Sequence, residues 1–205
     1  MAERILTMPL RATTALILTI ALTTGCSAMH GDPKNPTKNP HPVKRYEITA
    51  TADSPGPWDS IKGYISYEVV NKECTPENEF LGVHIMPRSV GLDIEMKRID
   101  EKTWKGSFLR DYMLDDDYYG LGVCHWDATS VTANFIIHTE AFGSGDLLHV
   151  FLQKGPQTLY FKKKQYWDRS LTNIGGLSSS ADNQEVMRHP EDFFPITVAV
   201  KEITP

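Results

Sequence analysis

The stretch "GYISYEV", residues 63–69, decides the fold class because apolar and polar side chains alternate along its length. Ile65, Tyr67 and Val69 would lie on one face and Tyr64 and Ser66 on the other, since successive side chains of a strand point to opposite faces. An alternation with a period of two is typical of a β-strand with one buried face. The stretch therefore predicts a half-buried strand.

Six further segments have strand character, and turn residues separate most of them. The predicted strands are residues 46–50, 63–69, 94–99, 131–137, 147–152, 158–163 and 196–203. The predicted turns are residues 54–57, 100–102, 143–146 and 154–156, which are rich in Gly, Pro, Ser and Asp. We find no window of comparable strength for a helix. This pattern predicts an all-β fold, an antiparallel β-sandwich that is immunoglobulin-like or related, in one domain over residues 45–205.

Composition and charge exclude some classes of function. The chain has 205 residues, of which 40% are hydrophobic, and its formal net charge is -5. Such a chain can bury a core and is not a disordered protein. Lysine and arginine are spread along the sequence, so the basic stripe expected of a nucleic-acid-binding protein is missing. Nucleic acid is therefore not an expected partner.

The N-terminus has the features of an export signal that ends at a cysteine. Arg4 and Arg11 supply positive charge, and residues 12–22 are uncharged and mostly apolar. A membrane-spanning helix needs about 20 apolar residues, so this run is too short for a permanent span. The run ends in "LTTGC", residues 22–26, which resembles the lipobox of bacterial lipoproteins, although Thr23 stands where the lipobox usually carries leucine.

The lipobox resemblance implies a signal peptide over residues 1–25 and a mature chain that begins at Cys26. In that family the cysteine thiol carries a diacylglyceryl group and the new amino group is acylated, with palmitate among the fatty acids. Ser27 follows in place of the aspartate that retains such proteins in the inner membrane, so the resemblance implies a lipid anchor in the outer membrane, facing the periplasm. Residues 26–44, with two Lys-Asn-Pro repeats, predict an extended proline-rich tether that holds the domain off the bilayer.

Assigning Cys26 to lipid leaves Cys74 and Cys124 as a pair. Two cysteines in an oxidising periplasm usually form a disulfide, and here it would close a loop of about 50 residues. The alternative is that Cys124 is a reactive thiol or a metal ligand, because His125 follows it. Adjacent side chains of a strand point apart, which makes these two residues poor joint ligands. The sequence therefore predicts the disulfide and no metal site or cofactor.

The stretch "DYMLDDDYYGLGVCHWD", residues 111–127, is the strongest candidate for a functional site. Carboxylates and aromatic rings are interleaved there, and such a surface suits a protein partner, since aromatic side chains supply contact area and one charge sign steers a complementary surface. Consecutive carboxylates do not alternate as in calcium loops, although calcium stays an alternative. The predicted partner-binding residues are Asp115, Asp116, Asp117, Tyr118, Tyr119 and Trp126. The alternative for each is a structural role.

The sequence does not support an enzyme. The segment around Ser144, "FGSG" at residues 142–145, lacks the Gly-x-Ser-x-Gly spacing of a nucleophile elbow and is more typical of a hairpin turn. No carboxylate pair stands out for glycoside hydrolysis. Residues 172–195 predict a long mobile loop. A ligand-binding or hydrolytic lipoprotein that uses this loop as a lid remains an alternative.

A second resemblance concerns function. "YYGLGVCHW" at residues 118–126, preceded by "NKEC" at residues 71–74, resembles a motif of small proteobacterial lipoproteins, and the resemblance covers roughly residues 45–170. Some of these lipoproteins are encoded beside type VI secretion lipase effectors and are their periplasmic immunity proteins. The resemblance implies a stoichiometric inhibitor that caps a secreted toxin. The alternative is an accessory protein that binds a resident complex of the envelope.

Overall fold

The protein folds into two antiparallel sheets packed face to face, as the sequence predicted. The computed structural model describes residues 31–168 and 175–203. These residues form strands β1 (Arg45–Ala52), β2 (Ser60–Val69), β3 (Glu77–Asn78), β4 (Val83–His84), β5 (Val90–Ile94), β6 (Lys97–Arg98), β7 (Thr103–Leu109), β8 (Trp126–Ile137), β9 (Glu140–Leu147), β10 (Gln157–Lys162), β11 (Ser178–Ser179) and β12 (Phe193–Glu202). They also form the short helices α1 (Leu148–Lys154), α2 (Lys163–Trp167) and α3 (Gln184–Arg188).

The two sheets share the strands unequally. The first has six strands in the order β11, β10, β12, β1, β7, β6, and the second has four in the order β5, β2, β8, β9. Strands β3 and β4 form a separate hairpin. The strands predicted at 46–50, 63–69 and 131–137 are confirmed as parts of β1, β2 and β8, and those predicted at 158–163 and 196–203 are confirmed as β10 and β12, which end one residue earlier. Alternation was a reliable signal for β1, β2 and β8 because each buries alternate side chains on the core.

The core lies between the sheets and is rich in aromatic rings. The ring of Trp104 on β7 lies 5.5 Å from that of Phe135 on β8, and Phe142 on β9 lies 5.5 Å from Phe161 on β10. Each pair joins one sheet to the other in an edge-to-face arrangement, which stabilises aromatic pairs beyond their buried area. The buried alternate residues of the central strands complete this layer, as Ile48 of β1 and Val131 of β8 illustrate.

Two predicted strands are wrong in detail. Residues 94–99 do not form one strand, because β5 ends at Ile94 in the second sheet and β6 begins at Lys97 in the first. The chain crosses between the sheets at Glu95 and Met96. Leu147 is the last residue of β9, and residues 148–152 are helical, since α1 begins at Leu148. Its buried residues, Leu148 and Phe151, are three apart, which is a helical spacing that also fits a short apolar run.

The hairpin turn predicted at residues 143–146 is also wrong. These residues lie inside β9, and the chain reverses earlier, where His138 has a φ of 55°. A Cβ atom on Gly145 would lie 2.3 Å from the carbonyl oxygen of Val131, so the strand needs glycine for close approach rather than for a turn. Ser144 is buried, and its hydroxyl donates to the carbonyl of Ile196 at 3.3 Å.

The segment at 172–195 is more ordered than predicted where the structure describes it. Residues 172–174 of the expected loop lie outside the described residues. After them come β11, helix α3 and a 3-10 turn that leads directly into β12. The side chain of Asn183 caps α3 by accepting from the backbone N–H of Glu185 at 2.9 Å. The expectation of a structureless loop is therefore wrong for this part.

Residues 31–44 lie against the domain and do not form a free spacer. The backbone N–H of Asn39 donates to Tyr112 at 2.8 Å, and Leu114 donates back to Thr37 at 2.9 Å. The Asp111 carboxylate accepts the backbone N–H groups of residues 43 and 44 at 2.9 and 3.0 Å. The expected tether is therefore wrong for residues 31–44, while Cys26 and residues 27–30 lie outside the described residues. No helix among the described residues is long and apolar enough to cross a membrane.

Candidate functional site: the disulfide end of the sandwich

A disulfide joins two irregular segments at one end of the sandwich, which we call the disulfide end (residues 70–88 and 111–126). Cys74 and Cys124 are bonded, as the sequence predicted, with their Cα atoms 5.2 Å apart. Cys74 follows β2 in a 3-10 turn, and Cys124 directly precedes β8, so the bond ties two connections that flank one strand pair. Both cysteines are buried, which removes Cys124 from the set of accessible thiols or metal ligands.

The aspartates of the predicted site hold the backbone of their own loop. Asp115 accepts the N–H of Trp126 with one carboxylate oxygen at 2.8 Å and contacts Nδ1 of His125 with the other at 2.8 Å. Asp116 accepts the N–H of Asp117 at 2.8 Å, and its backbone carbonyl accepts the N–H of Cys124 at 2.9 Å. These bonds close residues 116–124 into a loop anchored at the disulfide.

Asp117 holds the tip of this loop and also bonds the first described residue of the chain. One of its carboxylate oxygens accepts the backbone N–H groups of Tyr119 and Gly120, at 3.2 and 2.7 Å. Its backbone carbonyl accepts the N–H of Gly31 at 3.1 Å. Carboxylates that accept backbone N–H groups stabilise turns, which is a structural use of all three aspartates.

Tyr118 and Trp126 lie inside the molecule rather than on its surface. The indole N–H of Trp126 donates to the Tyr118 hydroxyl at 3.1 Å, and that hydroxyl lies 3.2 Å from the Leu114 carbonyl, to which it donates. Burial raises the pKa of Tyr118 above its ordinary value because it disfavours the phenolate. Tyr119 is half-buried, and burial likewise raises its pKa. The predicted site residues are thus brought together, mainly as a support for the loop.

The loop that the aspartates support exposes apolar side chains to solvent. Leu121 and Val123 are 55% and 47% exposed on the loop that the aspartates hold. Across the disulfide, Asn71 donates from its side chain to the Val123 carbonyl at 2.9 Å, and the carbonyl of His125 accepts the N–H of Val70. Val70 is itself exposed. The two segments therefore form one surface.

The hairpin of β3 and β4 follows Cys74, in the other segment that the disulfide joins, and the sequence did not predict it. Strand pairing joins Glu77 to His84 and Asn78 to Val83, and the N–H of Ile85 donates to Pro76 at 2.8 Å. At its tip, Phe80 is 94% exposed. The other exposed apolar residues of the hairpin and its exit are Leu81, Val83, Ile85 and Met86, at 41–63%. The available signal was the apolar run "FLGVHIM" at residues 80–86 beside acidic residues.

A cleft of about 370 Å³ opens between β5 and β7, beside the disulfide end. Leu92, Phe108 and Tyr112 line it with apolar surface, and Arg45 and Asp93 add charge. The hydroxyl of Tyr67 also lines the cleft and donates to the Leu109 carbonyl at 2.7 Å. The volume is at the lower end of the range for small-molecule sites.

The geometry gives little support for metal binding at the predicted site. The three consecutive aspartates direct carboxylate oxygens to backbone N–H groups. Among the described residues, one group could bring three ligand atoms within 4.8 Å of one another, namely His189, Glu191 and Asp192. All three are exposed on the 3-10 turn before β12, far along the chain from the disulfide end.

Comparison with known proteins adds no family. No family model matches the chain, and neither curated proteins nor solved structures give a match.

Proposed function

We propose that the protein is a lipoprotein of the bacterial outer membrane that faces the periplasm, is anchored through Cys26 and acts by binding a protein partner rather than by catalysis. The charged N-terminus, the short apolar run and the "LTTGC" sequence support the anchor. Two or more acyl chains on one cysteine hold a protein stably in a bilayer, whereas one chain holds it reversibly.

One observation carries the protein-binding part of the proposal. The disulfide end exposes a group of apolar side chains on two segments that a disulfide and a set of backbone bonds hold in place. Exposed apolar groups that are contiguous and rimmed by polar residues mark interaction sites, whereas scattered ones are ordinary. A held surface also loses less conformational entropy on binding.

The sharper form of the proposal is immunity against a secreted antibacterial lipase or another toxin. The resemblance of residues 71–74 and 118–126 to periplasmic immunity lipoproteins supports it. Those two segments are the ones that the disulfide joins, so the resemblance falls on the surface that the geometry favours. An envelope accessory protein that binds a resident complex would use the same surface.

The cleft between β5 and β7 favours a second candidate, a ligand-binding lipoprotein. Its apolar lining with one arginine and one aspartate suits a small amphipathic molecule. Turnover or saturable binding of such a molecule, abolished by filling the cleft with Leu92→Trp, would favour this candidate over protein binding.

The anchor is tested by metabolic labelling with radioactive palmitate. Wild-type protein should take up label and fractionate with the outer membrane, and Cys26→Ser should do neither. Mass spectrometry of the mature N-terminus should find an acylated Cys26. An unmodified residue 26, or protein recovered in solution from the cytoplasm, would refute the anchor.

The immunity form is tested in cells that produce a toxin encoded beside this gene in their periplasm. Co-production of the protein should restore growth, and purified toxin should form a complex of fixed stoichiometry with it. Growth restored by a surface variant that no longer binds the toxin would contradict neutralisation by capture.

A further inference from the structure

We propose that the hairpin of residues 76–85 is a docking knob that inserts into a protein cleft with an apolar floor and a rim of lysine or arginine. This inference rests on the proposed protein-binding function and names the chemistry of the partner surface. Its elements are the tip at Phe80, the neighbouring apolar side chains and the carboxylates beside them.

The base of the knob is fixed while its tip is free. Cys74 is held by the disulfide, and the hydroxyl of Thr75 donates to the Lys72 carbonyl at 2.7 Å. His84 Nδ1 lies 3.1 Å from the Thr75 carbonyl oxygen and ties β4 back to this base. At the tip, the side chain of Asn78 accepts the N–H of Leu81 at 3.1 Å and shapes the turn. The turn keeps Phe80 in solvent, where a partner can reach it.

The apolar side chains are too many and too close in sequence to be incidental. Five of the seven residues at 80–86 are large, apolar and exposed. A few side chains that fill desolvated pockets carry most of the energy of an interface, and a surrounding ring of weaker contacts excludes water from them. An aromatic side chain such as Phe80 has the area to fill such a pocket. Leu121 and Val123 add exposed apolar area on the segment that the disulfide joins to the base of the knob.

The charges beside the tip select the partner. Glu77 and Glu79 are exposed next to Phe80, and no lysine or arginine occurs between Lys72 and Arg88. None of the ion pairs among the described residues involves Glu73, Glu77 or Glu79, so these carboxylates are available. A complementary surface carries positive charge around an apolar floor.

The same carboxylates argue against the bilayer as the occupant. Inserting Phe80 and Leu81 among lipid tails would draw Glu79 out of water, and desolvating an unpaired carboxylate is costly. An anionic membrane surface would also repel these charges, since such surfaces attract basic segments. A basic protein cleft pairs the carboxylates instead of dehydrating them.

The path of the chain places the knob near the anchor. The N–H of Arg88 lies 3.4 Å from the Pro33 carbonyl, and residue 31 adjoins Asp117. Gly31 comes five residues after Cys26, so with the proposed lipid anchor a partner captured by the knob would be met close to the membrane.

The test uses full-length protein in cells, with a photo-crosslinking p-benzoylphenylalanine in place of Phe80 or, as a control, of Ile99. Ile99 is 58% exposed but lies in the turn between β6 and β7, at the end of β7 opposite Leu109. The captured protein is identified by mass spectrometry, produced on its own and titrated against wild type, Phe80→Ser, Glu77→Lys/Glu79→Lys and Ile99→Ser.

A supporting result is a protein that crosslinks from position 80 and not from 99, with a binding constant that depends on both parts of the knob. Phe80→Ser should weaken binding about 30-fold, which is about 2 kcal/mol at 1.4 kcal/mol per tenfold. The charge reversal should slow association and reverse its dependence on salt, because lysines repel a basic rim and salt screens that repulsion. Ile99→Ser should bind as wild type does. Because all these positions are exposed, the variants should melt as wild type does.

Three results would overturn the inference. One is capture of a protein that binds Phe80→Ser as tightly as wild type. Another is a crosslink from position 80 to a second copy of the chain. The third is flotation with vesicles of phosphatidylethanolamine and phosphatidylglycerol that Phe80→Ser abolishes, which would assign the tip to lipid. A toxin bound through another surface would refute the knob and leave immunity standing, whereas an envelope protein bound through the knob would do the reverse.

Discussion

Removing the disulfide should lower the free energy of unfolding by about 4 kcal/mol. The perturbation is Cys74→Ala/Cys124→Ala, which replaces both buried cysteines so that no free thiol remains. The bond joins residues 50 apart, and the chain-entropy relation for a closed loop of that length gives about 4 kcal/mol at 25 °C. For a domain of this size, that corresponds to a Tm lower by about 8–16 °C.

The assay is urea unfolding, followed by tryptophan fluorescence, of the oxidised protein, the reduced protein and the double variant. Reduced wild type controls for the small cavities that the alanines leave, so agreement between it and the variant assigns the loss to the cross-link. The hairpin base should also lose amide protection first, because Thr75 directly follows Cys74. A loss below about 1 kcal/mol in both samples, with an unchanged denaturant slope, would refute the loop-entropy argument.

Three further predictions concern hydrogen bonds and ion pairs that stabilise the domain. Tyr118→Phe should cost about 1–3 kcal/mol in urea unfolding because the buried indole N–H of Trp126 loses its acceptor, whereas the control Tyr119→Phe should cost little. Arg110→Ala should lower the Tm, and Arg110→Lys should not restore it, since two guanidinium nitrogens bond both Asp127 oxygens at 2.7 and 2.6 Å. Hydrogen bonds to Lys105 foremost, and also to Lys201, lower the pKa of Glu47 below 4.5, so this carboxylate stabilises the fold above its unfolded pKa and loses that effect as pH falls through the folded value. Melting curves should therefore show Glu47→Gln less stable than wild type at pH 7, with the gap closing in acid; a gap that widens would contradict the sign.

The central strands could be predicted because their side-chain pattern is a direct record of which face is buried. Ile65 and Tyr67 are buried while Tyr64 is exposed, so the alternation at residues 63–69 identified the buried face as well as the strand. The pairing of Cys74 with Cys124 followed from the cysteine count and the expected compartment. The strands could be predicted from a pattern of neighbouring residues, and the disulfide from assigning the third cysteine, Cys26, to lipid.

Other features depend on neighbours that a single sequence does not reveal. The short apolar run at residues 147–152 does not by itself distinguish a strand from a helix, and burial of Leu148 and Phe151 in the core decides for the helix. Gly145 looks like a turn residue in the sequence, but in the structure it permits a close approach to Val131. Asp115 and Asp117, predicted to bind a partner, also accept backbone N–H groups with their carboxylate oxygens, and only the folded loop brings these groups near. The exposed tip at Phe80 left no periodic signal because nothing in the described part of the chain covers it.

The six-stranded sheet ends on strands that offer little to another chain. β6 and β11, at its two borders, are two residues each, and β6 consists of Lys97 and Arg98. Short borders, one of them positively charged, discourage the edge-to-edge pairing that leads to aggregation. With the proposed lipid anchor, molecules crowded together on one membrane would collide often, and these borders would limit their pairing through the six-stranded sheet.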